Sequence, residues 1–349
     1  MSNLAELAFL NTRVSIHAAR LQPTESLLPF IDSADPVPED YLEAIGLDLR
    51  HDAPALSPAV LEQRLMAALI EDAESIRHAL PSAMRQLLKQ WMQRFEMMNL
   101  KSLIRCKLTG CSTARAREFL HDLKGFGSLP LQQLLDSEDI DEFMRVLASH
   151  NPVLAAKVRT HIADADQLFM LEAAMDYHFY AGLLKSCEQL PREERKAVWR
   201  LVGRIIDQVN LVWLLRYRFV FGLAPPHAYL LLIPSGRMLK HAQLLDLVQM
   251  EKMADVLQSL PSPLAEEFGD ANSIVEVEKG MDKRTQREAY RVLQHTQFNL
   301  ARVIAYLALR ERQILKVHAA LKGRILNLDE ESIRIAARLP ESFLDEPAA

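Results

Sequence analysis

The sequence predicts an all-α protein, and three observations carry that prediction. Long stretches contain no proline and are rich in Leu, Ala, Met, Glu, Gln, Arg and Lys, which are strong helix formers. Apolar residues recur at spacings of three and four, as on the buried face of a helix. No stretch shows a convincing strand pattern. The proline-free stretches are residues 82–129, 153–190, 192–224 and 264–339.

Prolines mark the predicted helix starts, because proline is tolerated in the first turn of a helix and breaks its interior. Three of them follow a residue that can cap a helix, in Ser57-Pro58, Asn151-Pro152 and Ser262-Pro263. Residues 22–58 hold six prolines and acidic spacers, which predicts a loop-rich segment with short helices such as 38–47. In the first long stretch, one buried stripe is predicted from Leu88, Trp91, Met92, Phe95 and Met98.

The composition is that of a soluble globular protein, since 49% of the 349 residues are hydrophobic and 25% are charged. The 46 acidic and 41 basic side chains give a formal charge of −5, so no basic excess points to nucleic acid. The N-terminus lacks the pattern of a signal peptide, and Arg216 and Arg218 interrupt the most apolar region, 209–234. We expect a cytoplasmic protein that does not span a membrane.

The sequence predicts no catalytic residues, no metal site and no cofactor or nucleotide binding. It lacks a phosphate-binding loop, a zinc-binding pair of histidines on one helical face and a Gly-x-Ser-x-Gly motif. Cys106, Cys111 and Cys187 fit no metal-ligand spacing and are predicted to be buried or idle thiols in a reducing compartment. Four histidines fall in predicted helices, where a surface or interface position is expected: His78, His121, His161 and His318.

The most informative feature is an internal repeat of helix ends. Residues 99–107 begin Asn-Leu-Lys, residues 210–218 begin Asn-Leu-Val, and residues 316–324 form a weaker third copy. The second copy lies 111 residues after the first, and the third lies 106 residues after the second. All three copies end in a basic pair of the same spacing: Arg105 and Lys107, Arg216 and Arg218, and Lys322 and Arg324. A turn residue follows each copy: Gly110, Gly222 and Asn327.

The repeat extends to an acid that precedes the asparagine by three residues. This acid is Glu96 in the first copy and Asp207 in the second, and Gln313 takes its place in the third. The period far exceeds the roughly 20 to 50 residues of solenoid repeats, so each unit is predicted to be a small helical domain. We predict three similar domains in a pseudo-threefold arrangement: residues 1–125, which include the loop-rich segment 22–58, residues 126–236 and residues 237–349.

Two interpretations of the repeated polar residues stay open at this point. In one, they tie neighbouring helices together, and the basic residues are solvated or support helix C-terminal carbonyls, whose dipole favours cations. In the other, three helix ends present Arg and Lys to an acidic or carbonyl-rich partner on the pseudo-symmetry axis. The candidate partner-binding or interdomain residues are Asn99, Lys101, Arg105, Lys107, Asn210, Arg216, Arg218, Lys322 and Arg324.

These motifs resemble the C-type subunit family of bacterial and archaeal V/A-type rotary ATPases, whose eukaryotic relative is the d-type subunit of the vacuolar ATPase. The resemblance runs almost from end to end. The stretches that carry it are residues 11–14 with 20–21, residues 95–101 with 105 and 107, residues 201–203, 206–211, 213–216 and 222–225, and residues 231–237. Ser235 stands where the family usually has glycine, and the third copy keeps only Lys322, Gly323 and Arg324.

The resemblance implies a funnel-like helical protein of three similar domains. It would seat on the membrane proteolipid ring and receive the foot of the central shaft, formed by subunits of the D and F types. It would rotate with the ring as a non-catalytic subunit on the cytoplasmic face, coupling ATP hydrolysis or synthesis to the movement of protons or sodium ions. Direct nucleotide binding is not implied.

Two other classes of function compete with this expectation. A repeat of helical domains also suits a soluble adaptor that holds protein partners together without rotating. An enzyme would require a pocket that holds titratable groups with shifted pKa values, and the sequence does not indicate one.

Overall fold

The structure, a computed structural model, describes residues 4–31, 39–47, 58–162, 168–233, 235–296 and 299–338. These residues form helices and connections without a β-strand, apart from one isolated bridge between Ser235 and Lys240, which confirms the all-α prediction. The α-helices are α1 Leu4–Ala18, α2 Leu28–Ile31, α3 Glu39–Ala44, α4 Pro58–Ala79, α5 Ser82–Thr109, α6 Thr113–Arg117, α7 Leu131–Asp136, α8 Ile140–His150, α9 Pro152–Ile162, α10 Leu168–Glu188, α11 Arg192–Phe219, α12 Pro225–Leu230, α13 His241–Val248, α14 Met253–Gln258, α15 Leu264–Phe268, α16 Ile274–His295, α17 Leu300–Ile325 and α18 Glu330–Ala336.

The proline-marked helix starts differ in outcome. Asn151 caps α9, because its Oδ1 accepts the backbone N–H of Leu154 at 3.0 Å. Helix α4 begins at Pro58 as expected, but Ser57 lies outside the described residues. The prediction for Ser262 is wrong: α15 begins at Leu264, and the Ser262 hydroxyl donates to the Glu266 carboxylate instead of capping the helix.

The buried stripe of α5 follows the predicted spacing up to its last position. Leu88, Trp91, Met92 and Phe95 are buried, but Met98 is 39% exposed. The stripe continues instead through Asn99, which is four residues after Phe95 and 1% exposed. A polar residue on a buried face requires hydrogen-bond partners, and Asn99 has them in the connection after α5.

Six long helices form three hairpins, α4–α5, α10–α11 and α16–α17, each joined by a connection of two to four residues. The second helix of each hairpin packs along the first helix of another hairpin. Helix α5 packs on α10, α11 packs on α16, and α17 packs back on α4. The contacts therefore close a circle in which the last hairpin returns to the first. The three-domain division and its pseudo-threefold symmetry stay predictions.

Polar contacts between these helices show that packed neighbours are antiparallel. As residue numbers rise along one helix, the partner numbers fall along the other. Because each hairpin also reverses the chain, α5, α11 and α17 run in one direction, and their C-terminal ends lie at the same end of the bundle. The pairs are Lys101 with Asp176 and Arg105 with Glu172, Gln208 with Asp282 and Arg216 with Glu278, and Arg310 with Asp72 and His318 with Glu62.

A buried polar cluster joins α17 to α4 and α1 where the circle closes. Arg310, which is 0% exposed, donates from Nε to Asp72 Oδ2 at 3.0 Å. The Tyr306 hydroxyl donates to the same oxygen at 2.7 Å, and His17 Nδ1 lies 3.0 Å from Asp72 Oδ1. Burial opposes ionisation of Asp72, but these partners outweigh it and lower the pKa of the carboxyl.

The cysteine prediction is wrong for two of the three residues. Cys106 and Cys111 form a disulfide across the C-terminal turn of α5, with their Cα atoms 5.0 Å apart. The sequence carries no signal for this pair, because the turn at Gly110 brings the two residues together only once α5 ends there. Cys187 is a free, buried thiol as expected, and burial raises its pKa to about 12.

Among the helices that the structure describes, none combines the length and the apolar character that crossing a membrane requires.

Replacing Asp72 by alanine should destabilise the protein strongly, because it leaves the buried Arg310 charge without its partner. Breaking a buried ion pair in this way costs about 3 to 5 kcal/mol. The matched variant Tyr306→Phe removes only one hydrogen bond to the same carboxylate and should cost about 1 kcal/mol. Urea unfolding of both variants measures the difference, and equal losses would contradict the role given to the Asp72 charge.

The contribution of Asp72 should also depend on pH. The pKa of its carboxyl is lowered in the folded state, so its stabilisation is fully present above the ordinary value of about 3.9 and lost as the pH falls below it. The stability gap between the unmodified protein and Asp72→Ala should therefore narrow as the pH falls below about 4.

Candidate functional site

The candidate site, here called the helix-end site, consists of the repeated polar residues in the C-terminal halves of α5, α11 and α17. Two of its asparagines make the same pair of contacts. Asn99 Nδ2 donates to the carbonyl of His121 at 2.8 Å, and the N–H of His121 donates to Asn99 Oδ1 at 2.8 Å. Asn210 makes both bonds with the backbone of Ile233, also at 2.8 Å. Each asparagine therefore holds one residue of the connection that follows its helix.

The acid three residues earlier binds backbone N–H groups further along the same connection. Glu96 accepts from the N–H of Leu129 at 2.8 Å and from both the N–H and the hydroxyl of Ser128. Asp207 accepts from the N–H groups of Met238 and Leu239 at 3.0 and 2.9 Å. Burial raises the pKa of Asp207, and the backbone donors oppose that rise.

The last basic residue of each copy binds carbonyls at the end of a short helix. Lys107 Nζ donates to the carbonyls of Leu135 and Ser137, at the C-terminus of α7. Arg218 donates to the carbonyls of Val248 and Met250 after α13, at 2.8 and 3.3 Å. Cations are favoured there, because the carbonyls that end a helix carry partial negative charge.

The third copy is completed by the N-terminal part of the chain. Gln313, at the position of Glu96 and Asp207, donates to the carbonyl of Arg20 at 3.3 Å. Arg324, at the position of Lys107 and Arg218, donates to the carbonyl of Ile31 at the end of α2, at 3.4 Å. Residues 20–31 therefore make the same kind of contacts with α17 that the connections after α5 and α11 make with those helices.

The first basic residue of the first two copies crosses to another hairpin. Arg105 Nη2 lies 2.5 Å from Glu172 on α10, and Arg216 Nη2 lies 2.7 Å from Glu278 on α16. Lys101 Nζ lies 2.5 Å from Asp176 of α10 in the same row. Burial raises the pKa of Asp176, and the Lys101 charge opposes that rise.

A residue in the left-handed region follows each of the three helices within three residues of the helix end. The φ angles are 67° at Gly110, 65° at Gly222 and 52° at Asn327. Glycine and asparagine adopt this conformation most readily, which explains their position after each copy. Lys322, in the third copy, is exposed at this same end.

The structure brings the predicted residues together in matching places, and their contacts described above lie within the chain. Their proposed role in binding partners stays a prediction. His121 lies in a connection and not in a helix, and the side chain of His161 lies outside the described residues. The acids opposite the basic residues were missed, although Glu62, Glu172 and Glu278 recur at spacings of 110 and 106, close to the period of the repeat.

Within the described ranges, no group of three His, Cys, Asp or Glu side chains is arranged to hold a metal ion.

The fold and the helix-end site define a class of all-helical proteins whose matching helix ends are fixed by internal polar contacts. Comparison with known families identifies the family within that class. The profile of the ATP synthase (C/AC39) subunit family matches residues 41–335, and the chain belongs to this family.

Individual relatives from archaea match most of the chain, and each is the C-type subunit of an A-type ATP synthase. That of Methanocaldococcus jannaschii is 24% identical over 354 residues, covering 95% of this chain and 86% of that protein. That of Methanothermobacter thermautotrophicus is 23% identical over 334 residues, covering 92% and 85%. That of Thermococcus kodakarensis is 20% identical over 312 residues, covering 86% and 80%.

Substituting either buried asparagine should destabilise the fold far more than substituting its exposed neighbour. Asn99→Ala and Asn210→Ala each leave a buried N–H and a buried carbonyl without partners, which costs about 2 to 4 kcal/mol. Arg105→Ala removes a largely exposed ion pair and should cost less than about 1 kcal/mol. Thermal unfolding compares the three variants, and an asparagine loss as small as that of Arg105→Ala would contradict the clamping role.

Proposed function

We propose that this chain is a non-catalytic central-stalk subunit of a V/A-type ATPase or ATP synthase. It couples the rotating shaft to the membrane proteolipid ring, so that ATP hydrolysis or synthesis is tied to the movement of protons or sodium ions. Membership of the ATP synthase (C/AC39) subunit family over residues 41–335 supports this function. The C-type subunits of archaeal A-type ATP synthases match the chain over up to 95% of its length.

The observation that carries the proposal is the closed circle of hairpins. A subunit that transmits torque must resist relative movement of its parts, and an open row of hairpins is held at each junction only by its neighbours. Here α17 packs back on α4, and ion pairs cross between hairpins at Arg105, Arg216 and Arg310. Such a closed body suits a mechanical role.

The partners follow from the same proposal. The chain would contact shaft subunits of the D and F types and the proteolipid ring, as a peripheral subunit on the cytoplasmic face of the membrane. The C-terminal ends of α5, α11 and α17 lie at one end of the bundle and offer matched points of contact. The polar groups of the helix-end site would act by holding the connections in place and not by chemistry.

Removing the subunit should separate ATP hydrolysis from ion movement. In membrane vesicles that contain the complex, deletion should abolish ATP-driven ion uptake while the detached catalytic heads continue to hydrolyse ATP. Adding the purified chain back should restore uptake. Paired measurements of phosphate release and ion uptake test this, and uptake that is unchanged by the deletion would leave only an adaptor role.

A charge swap separates an internal role of Arg105 from a role in partner binding. Arg105→Glu places one carboxylate opposite the carboxylate of Glu172 and should weaken coupling, measured as ions taken up per ATP hydrolysed. The double variant Arg105→Glu with Glu172→Arg restores an ion pair of opposite polarity. Recovery of coupling in the double variant would assign Arg105 to the junction between α5 and α10, whereas a persistent loss would assign it to a partner.

A further inference from the structure

Several arginines converge on one carboxylate where α11 packs on α16. Glu288 of α16 is 6% exposed, and three guanidinium groups lie around it. Arg200 Nη2 and Arg291 Nη2 are 3.6 and 3.2 Å from its Oε1, and Arg204 Nε is 3.5 Å from its Oε2. These residues, together with Arg237, are here called the arginine cluster.

Arg237 joins the cluster from the connection after α12, because Gly203 leaves room for it on α11. The N–H of Arg237 donates to the carbonyl of Gly203 at 3.4 Å, and a Cβ added at Gly203 would lie only 3.0 Å from the Cβ of Arg237. Burial lowers the pKa of Arg204, and the nearby charge of Arg237 lowers it further. The connection thus brings a fourth guanidinium group to the junction between α11 and α16.

The cluster holds more positive charge than its carboxylates neutralise. Glu288 and Asp207 act on Arg204 as opposite charges, and the oxygens of Asp207 already accept backbone N–H groups. Arg284 also lies near Arg204, but it pairs with Glu267. Four guanidinium groups therefore face two carboxylates. Like charges gathered at a partly buried site favour the binding of an anion.

Two buried donors of the cluster make no hydrogen bond to any described residue. They are Nε of Arg204 and Nη1 of Arg237. The Glu288 carboxylate is close enough to Arg204 for an ion pair, but the geometry is not that of a hydrogen bond. Buried donors of a folded protein are normally satisfied by protein, water or a bound ion. An oxyanion offers several acceptor oxygens and would satisfy both donors.

The more exposed part of the cluster consists of flexible side chains. Those of Arg200 and Arg291 are 47% and 52% exposed. Exposed ion pairs contribute little to stability, so these two guanidinium groups can turn away from Glu288 at little cost. Their movement would open a path to the buried donors and let both groups close over a ligand.

We propose that the arginine cluster binds an oxyanion of the phosphate class, either free or as the headgroup of a lipid. Oxygens of the anion accept from Arg204 Nε and Arg237 Nη1, and Arg200 and Arg291 close over it. Guanidinium groups suit this ligand, because they stay charged and match the geometry of phosphate with paired N–H groups. The site belongs to the single chain and stands whether or not the coupling function holds.

Titration calorimetry of the full chain with inorganic phosphate, at constant ionic strength in sodium chloride, tests the site. Arg204→Gln and Arg237→Gln should each lower the affinity for phosphate about tenfold or more, because each removes a charged donor. The matched control Arg145→Gln changes an exposed arginine of α8 and should leave the affinity unchanged. An equal loss in Arg145→Gln, or no loss in Arg204→Gln, would overturn the proposal.

Substituting Glu288 should have the opposite effect on the affinity for phosphate. Glu288→Gln removes the negative charge that competes for the same guanidinium groups, so phosphate should bind several-fold more tightly. If the arginines served only to pair with Glu288, this substitution would bring no gain. Circular dichroism shows whether the variant is folded. Weaker or unchanged binding by the folded variant would contradict the proposal, and if it does not fold, the comparison of Arg204→Gln with Arg145→Gln decides.

Sedimentation with lipid vesicles distinguishes the two sources of the anion. The chain is mixed with phosphatidylcholine vesicles that either contain or lack phosphatidic acid. Sedimentation that requires phosphatidic acid and is lost in Arg204→Gln assigns the site to a lipid headgroup. Calorimetric binding of phosphate without such sedimentation assigns it to a free anion. Failure of the unmodified chain to bind either phosphate or the phosphatidic acid vesicles would overturn the proposal.

Discussion

The contact between α17 and α4 is the constraint on which the arrangement of the hairpins depends. Without it the three hairpins form a row with two free ends, and each junction is held only by its own neighbours. With it every long hairpin is packed on two sides. The contact is also chemically distinct from the junctions at Arg105 and Arg216, because Asp72, Arg310 and Tyr306 are buried, whereas the Arg105 and Arg216 side chains are 57% and 46% exposed. A buried ion pair adds little net stability over apolar packing but tolerates few alternative geometries. It therefore suits a junction that must close in one register.

The carboxyl and carboxamide groups of the helix-end site act differently, by providing hydrogen-bond partners for buried backbone groups. A connection that leaves a long helix and returns along its side buries backbone N–H and carbonyl groups, and these need partners. Asn99 and Asn210 each supply one donor and one acceptor to a single residue, and Glu96 and Asp207 receive the N–H groups that come later. The repeated acid and asparagine thus serve to fix the path of the connection rather than to form the helix that contains them. This explains why it begins on the buried stripe of α5, where Asn99 replaces the apolar residue that periodicity alone would place there.

The sequence predicted the helical class and the positions of the repeated residues, but not their partners. Spacing along the chain identifies residues that share a helix face, so the period of Arg105, Arg216 and Lys322 was visible. It does not say that Glu172 belongs opposite Arg105, because that pairing depends on which hairpins meet. Glu62, Glu172 and Glu278 carried the same period and gave a usable signal. The buried polar cluster around Asp72 and Arg310 gave no such signal in the sequence, since these two residues lie more than two hundred positions apart. No signal in the sequence indicated that residues 20–31 complete the third copy, because they lie almost three hundred residues before it in the chain.

The internal contacts change what a partner would meet at the end of the bundle. The Arg105 and Arg216 guanidinium groups already pair with Glu172 and Glu278, so an acidic group of a partner would have to share them or exchange with these internal carboxylates. Apolar side chains at the same helix ends impose no such exchange. Leu108, Val220 and Leu326 are 40%, 63% and 52% exposed, each within four residues of a basic residue of its copy. Contact there releases only water from apolar surface, which favours association. Arg105 and Arg216 therefore serve best by holding α5 and α11 to the neighbouring hairpins. We expect a partner at these helix ends to meet the exposed apolar side chains beside them.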